Sequence, residues 1–272
     1  MNLTTTLDLP AALATPLPGI GALFVRGLKP DPLIWQQHDP WLVALALALA
    51  VGASITGFFM ADLARRAPDA LVQRLSLFTG ALALGGGFWA MHFINMLAFQ
   101  VCAQGRFNLG LTALSIVPAL AASWVALRQL MRPELRWRDL LVSSVLMGAG
   151  IGLMHYIGMA AAELAPLMRY DPVGFGLSIV VAVGLSLLAL WVRYGMRGRL
   201  WLRGWRSRVL AGAIMGCAIV GMHYMGIAAL RFVQPVDMLG AYGGIGYRLP
   251  VQTTVSLAIA VAILPTSARV IR

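Results

Sequence analysis

Three Met-His pairs stand within apolar stretches of this 272-residue sequence: Met91-His92, Met154-His155 and Met222-His223. They include three of the four histidines in the chain. Imidazole nitrogens and thioether sulfurs are soft donors that suit copper, especially Cu(I), and do not suit calcium or magnesium. The repeated pairs therefore predict a metal site.

Two further methionines extend this motif. Met96 and Met159 each follow a motif histidine by four residues, so that on a helix each shares one face with that histidine. The third copy differs, because Ile227 stands four residues after His223. The predicted metal ligands are His92, Met96, His155, Met159, His223, Met91, Met154 and Met222. The alternatives are interhelical hydrogen bonds for the histidines and plain packing for the methionines.

The composition indicates that a membrane surrounds these motifs. Hydrophobic residues make up 60% of the chain, charged residues only 11%, and the mean hydropathy is +0.80. The net charge of +11 is dispersed between apolar runs, so a nucleic-acid partner is not predicted. The apolar runs are continuous and do not alternate with polar residues, which favours an all-α membrane protein over a β-barrel.

Seven apolar runs are long enough to be transmembrane helices. They cover residues 41–62, 75–99, 108–130, 139–163, 173–193, 208–230 and 252–268. The three motif histidines lie in the second, fourth and sixth runs, roughly 23 to 26 Å from their starts at about 1.5 Å per residue. All three are therefore predicted at one depth, where a single site can use them.

Charge in the loops predicts the orientation, because Lys and Arg are retained on the cytoplasmic side of short loops. Of the 21 basic residues, the loops on one side, including the C-terminal end, carry 15 and those on the other carry 6. We therefore predict seven transmembrane helices with the N-terminus outside and the C-terminus in the cytoplasm. The predicted parts are an extracytoplasmic leader (1–37), a membrane domain (38–268) and a cytoplasmic tail (269–272).

A two-helix unit occurs three times, followed by a final unpaired helix. Asp39-Pro40 and Asp171-Pro172 precede two of the odd helices, where Asp can cap the helix and Pro suits its first turn. In the even helices, Gly148 with Gly152 and Gly212 with Gly216 form small-xxx-small pairs. Such pairs predict that the even helices pack closely together.

With these motifs, residues 38–268 resemble the MHYT family, which takes its name from a repeated Met-His-Tyr-Thr signature. The resemblance implies a bacterial inner-membrane sensor domain that binds copper and responds to O2, CO or NO. Only Met-His is kept in all copies, since Phe93-Ile94, Tyr156-Ile157 and Tyr224-Met225 stand at the Tyr-Thr positions. Many family members carry cytoplasmic output domains, so we expect this chain to signal to a separate cytoplasmic partner.

Two other kinds of function remain open from the sequence. One is a zinc-dependent membrane hydrolase, with three histidines on Zn²⁺ and Glu163 as a base. The other is a haem or copper carrier that uses the histidines as axial or relay ligands. We expect a sensor without catalytic activity, with Cu(I) as the cofactor and zinc or haem as the alternatives.

Overall fold

A computed structural model describes residues 23–29, 38–99, 107–132, 134–162, 165–195 and 205–232. Its six long helices are α1 (Pro40–Arg66), α2 (Ala70–Ala98), α3 (Leu109–Leu130), α4 (Trp137–Ala160), α5 (Pro172–Gly195) and α6 (Trp205–Ala228). All six are long and apolar enough to cross a membrane. They confirm six predicted spans, although α1 ends four residues after its predicted run and α2 begins five residues before its own. The seventh span (252–268), the tail (269–272) and most of the leader (1–37) lie outside the described residues.

Each odd helix begins at a side chain that caps it. The Oδ1 atom of Asp39 accepts hydrogen bonds from the N–H groups of Trp41 and Leu42, at 2.8 and 3.3 Å. Asn108 accepts one from Leu111 at 3.0 Å, and Asp171 accepts one from Gly174 at 2.8 Å. The structure thus confirms the caps predicted at Asp39 and Asp171 and adds Asn108 as the equivalent residue of the second unit.

The same three residues close each two-helix unit into a hairpin. Their backbone N–H groups donate to the last turn of the paired even helix: Asp39 to the Ala98 carbonyl at 3.0 Å, Asn108 to Ala161 at 2.8 Å and Asp171 to Ala229 at 2.8 Å. In the third unit the pairing continues as a two-stranded antiparallel sheet of β1 (Met168–Tyr170) and β2 (Leu230–Phe232), after a 3-10 turn at Ala165–Leu167. We call this side of the bundle the motif end, and the charge pattern predicts that it faces outward.

The six helices form a closed ring in chain order, with α6 packed against α1. The even helices lie on the inside of the ring. In the apolar stretches of α2, α4 and α6, 83%, 56% and 56% of the residues are buried, against 44%, 33% and 28% in α1, α3 and α5. Three further contacts, α2 with α4, α4 with α6 and α2 with α6, bring the even helices together at the centre. Their residues therefore line the bundle axis.

The paired glycines pack differently from the prediction. Gly152 lies against Ile179 of α5, and Gly216 lies against Val51 of α1. Gly148 and Gly212 likewise face α5 and α1. The close approach that these glycines permit is therefore to the neighbouring odd helix, because the even helices meet each other at the histidines.

An ion pair ties three helices together at the opposite end of the bundle. Arg193 of α5 pairs with Asp62 of α1, and both side chains are largely buried. The Nε atom of Arg208 in α6 lies 4.0 Å from the other carboxylate oxygen of Asp62. From the sequence, both arginines count only among the basic residues that predict the orientation, whereas the structure gives them a shared buried carboxylate.

Candidate metal centre

The three motif histidines meet on the bundle axis. His92, His155 and His223 come from α2, α4 and α6 and are 0%, 1% and 1% exposed. The Nδ1 atom of His92 lies 3.2 Å from the Nδ1 atoms of both His223 and His155. Each of the three rings can offer one nitrogen as a ligand, and these three nitrogens all lie within 4.8 Å of one another. The structure thus brings together the three histidines that the sequence placed at one depth.

This convergence of Nδ1 atoms has a direct chemical consequence. In a neutral imidazole, one nitrogen donates a hydrogen bond and the other accepts one. The Nδ1 atom of His92 has one N–H or one lone pair, directed in the plane of its ring, and this can point at only one of its two neighbours. Hydrogen bonding therefore satisfies the two contacts poorly. A cation at the centre removes this conflict. Three nitrogens bound at about 2.0 Å stand about 3.3 to 3.5 Å apart, which is close to the 3.2 Å between the Nδ1 atom of His92 and each of the other two.

Glycines of the neighbouring even helix make room for the outer sides of two rings. A Cβ atom at Gly158 would lie 2.5 Å from Nε2 of His92, and a Cβ atom at Gly226 would lie 2.5 Å from Nε2 of His155. Each of these glycines follows the motif histidine of its own helix by three residues. The Nε2 atoms of all three rings are buried and have no hydrogen-bond partner among the described residues. The rings are thus held by packing and converge through Nδ1.

In α2 the position equivalent to these glycines is Asn95. Its side chain is fully buried, its Nδ2 atom donates to the sulfur of Met91 at 2.9 Å, and its Oδ1 atom accepts a hydrogen bond from the Tyr224 hydroxyl at 3.0 Å. Asn95 was not among the residues predicted from the sequence. Alignment of the three motifs three residues beyond the histidine would have shown it, because the other two copies have glycine there.

The predicted methionine ligands lie on both sides of the histidine layer. Met91, Met154 and Met222 are at most 1% exposed and belong to the main core of the bundle. Met96 and Met159 are equally buried in a second apolar cluster at the motif end, where Ile227 takes the third place. No contact between a methionine sulfur and a histidine nitrogen is described, so methionine ligation stays a prediction.

Six apolar helices around a buried three-histidine cluster define a multi-pass membrane protein with a candidate metal centre. The MHYT family, described as a bacterial signalling protein N-terminal repeat, matches residues 85–143, 148–205 and 216–269. The chain belongs to this family. The three matched segments begin in α2, α4 and α6, which confirms the threefold repeat.

Curated relatives place the family in bacterial signalling. The bifunctional diguanylate cyclase/cyclic di-GMP phosphodiesterase MucR of Pseudomonas aeruginosa is 43% identical over 205 residues, which cover 74% of this chain and 29% of the relative. The cyclic di-GMP phosphodiesterase NbdA of the same species is 36% identical over 79% of this chain and 28% of its own length. The signalling protein YkoW of Bacillus subtilis is 29% identical over 77% of this chain and 26% of its own length.

The matched region therefore spans less than a third of each of these three relatives. No solved structure matches the chain.

Proposed function

We propose that this protein is a membrane sensor whose three-histidine centre binds copper as Cu(I), and that a diatomic gas or the redox state changes the coordination there. The observation that carries the proposal is the convergence of His92, His155 and His223, in which the Nδ1 atom of His92 lies 3.2 Å from the Nδ1 atom of each of the other two. The bound ion would supply a site that takes O2, CO or NO as a further ligand or exchanges an electron.

Charge and coordination number favour Cu(I) at this centre. The candidate cluster among the described residues consists of three neutral donors and holds no carboxylate or thiolate. A buried charge without a counter-charge is costly in a membrane, and this cost is lower for a monovalent than for a divalent ion. Three imidazoles also complete a three-coordinate shell, whereas Zn²⁺ takes a fourth ligand.

The geometry gives less support to a haem. A haem plane lies between its two axial ligands, and nitrogens only 3.2 Å apart leave no room for it. For a zinc hydrolase, which needs a base beside the metal, the predicted base Glu163 lies outside the described residues. Elemental analysis distinguishes copper from zinc and from the iron of a haem.

The arrangement of ligands suggests how a signal would leave the centre. The three histidines belong to three different helices, so a change in their spacing shifts α2, α4 and α6 relative to one another. The two odd helices packed against α6 are α5 and α1, and all three helices share the Asp62 ion pairs at the opposite end. We propose that this end passes the change to a cytoplasmic partner, and that the partner turns over cyclic di-GMP, as the names of two relatives indicate for those proteins.

Elemental analysis tests the metal. The protein is purified in detergent without chelator, as wild type and as a His92→Ala, His155→Ala, His223→Ala triple variant, and both are loaded with Cu(I) and dialysed. We expect one copper per wild-type chain and none in the folded triple variant. Met215→Leu, which changes a buried methionine outside the motifs, serves as the matched control and should keep its copper. A wild-type protein that is purified without copper and does not bind added Cu(I) would overturn the proposal.

Ligand binding tests the sensor. A sensor must bind its stimulus with different free energy in two states of the protein. We expect the Cu(I)-loaded protein to bind one CO per copper and to show one C–O stretching band in its infrared spectrum. The triple variant should lack this band. A band of equal strength in the triple variant would show that CO binds elsewhere.

A further inference from the structure

The motif end contains three equivalent aromatic contacts, one between each even helix and the start of the next odd helix. Phe93 meets Phe107 with ring centroids 5.7 Å apart, Tyr156 meets Tyr170 at 5.1 Å, and Tyr224 meets His38 at 5.5 Å. We call them the first, second and third wedges. In each wedge the first residue directly follows a motif histidine, so every wedge stands between the three-histidine centre and the surface of the motif end.

The first two wedges offer little to a polar solute. The first consists of two phenylalanines and carries no hydrogen-bonding group. In the second, Tyr170 is buried, and the Tyr156 hydroxyl lies 2.8 Å from the Ser178 hydroxyl, which turns it away from the centre and toward α5. The segment at Phe24 also covers this wedge. Phe24 forms an isolated β-bridge with Tyr170, and its ring packs edge-on against the ring of Phe175 with centroids 5.2 Å apart.

The third wedge is polar throughout. His38 stacks on Phe99 at 5.0 Å, and both His38 and Tyr224 keep part of their surface exposed among the described residues. The Tyr224 hydroxyl donates to Asn95 Oδ1 at 3.0 Å, and Asn95 Nδ2 donates to the sulfur of Met91 at 2.9 Å. A line of polar groups therefore runs from the surface to the level of His92. It consists of the imidazole of His38, the phenol of Tyr224, the amide of Asn95 and the thioether of Met91.

We propose that the third wedge is the entrance through which a soft monovalent cation reaches the three-histidine centre. This inference rests on the proposed function, since it names the route to that same site. A cation that leaves water for an apolar passage loses its hydration without replacement, which raises the barrier. In the third wedge the imidazole of His38, the ring face of Tyr224 and the side chain of Asn95 replace water in turn. Asn95, which stands where the other repeats have glycine, gives this passage a polar group that the other two lack at that position.

Exchange rates of Cu(I) test the route. Full-length protein in lipid nanodiscs is loaded with Cu(I), and its release to a coloured Cu(I) chelator and its reloading are followed in time. The test variant combines His38→Phe with Tyr224→Phe, so that the third wedge copies the first. The matched control is Tyr156→Phe, which removes a hydroxyl from the second wedge. We expect the test variant to exchange at least about tenfold more slowly, equivalent to a barrier higher by about 1.4 kcal/mol, with one copper per chain retained.

The outcomes separate this inference from the function beneath it. Unchanged rates in the test variant, with copper still bound at one per chain, overturn the entrance and leave the metal centre intact. Equal slowing in Tyr156→Phe also overturns it, because the effect would then not belong to the third wedge. A wild-type protein that binds no Cu(I) overturns the proposed function and this inference together.

Discussion

The imidazole of His92 occupies the space that a side chain at position 158 would need, since a Cβ atom there would lie 2.5 Å from its Nε2 atom. We expect Gly158→Ala to push this ring away from the axis and to weaken Cu(I) binding by about 10- to 100-fold, the usual effect of disturbing the groups that orient metal ligands. Competition with a calibrated Cu(I) chelator measures the affinity.

Gly184→Ala is the matched control for this prediction. It adds the same methyl group to a helix, but nothing lies within 4 Å of the new atom. We expect Cu(I) affinity to stay at the wild-type value there. Equal losses in both variants would mean that the substitution acts through general destabilisation and not through His92.

Metal binding should stabilise the bundle, because the centre joins three helices that lie far apart in sequence. A ligand that binds only the folded state adds about 2.7 kcal/mol to the free energy of unfolding at a free concentration of 100 times Kd. We expect Cu(I) to raise the thermal midpoint of the wild type in detergent. His155→Ala should lose this response while it remains folded, and a persistent response in that variant would place the bound copper elsewhere.

The ion pair between Asp62 and Arg193 leads to a stability prediction. Both side chains are largely buried, so Asp62→Asn leaves the guanidinium of Arg193 without its counter-charge. Loss of one partner of a buried pair costs about 3 to 5 kcal/mol, whereas replacement of both by apolar residues of similar volume is often neutral. We expect Asp62→Asn to lower the thermal midpoint strongly and Asp62→Leu with Arg193→Met to recover most of it. No recovery in the double variant would contradict this account.

The helix caps allow a smaller and more local test. The side chain of Asn108 accepts a hydrogen bond from Leu111 N–H at the start of α3. Asn108→Ala should lower the free energy of unfolding by about 0.5 to 2 kcal/mol, while Asn108→Ser, which keeps a capping oxygen, should remain near the wild type. Reversible unfolding in mixed micelles gives the difference, and an Ala variant as stable as the Ser variant would refute the role of the cap.

The predicted orientation is open to a labelling experiment. In a background with Cys102 and Cys217 replaced by serine, Leu109→Cys reports the motif end and Glu134→Cys the opposite end, since both positions are exposed. We expect a membrane-impermeant maleimide to label position 109 in right-side-out vesicles and position 134 only in inverted ones. The reverse pattern would show that the motif end faces the cytoplasm.

Local rules of chain chemistry were enough to predict much of this protein. Continuous apolar runs predicted seven helices, of which the structure confirms the six that lie in the described residues, because a helix satisfies its backbone hydrogen bonds within one segment of the chain. Asp39 and Asp171 predicted helix starts, since a cap depends only on residues within the first turn. The equal depth of the three histidines followed from counting along each helix.

Contacts between distant residues were decided only by the tertiary structure. The depth of a histidine says nothing about which ring nitrogen faces the axis, and the convergence of Nδ1 atoms depends on how three helices are rotated in the ring. Asp62 and Arg193 are far apart in sequence, so their pairing had no local signal. Asn95 was visible as a departure from the repeat, but its hydrogen bond to Tyr224 exists only because the even helices α2 and α6 meet at the centre of the bundle.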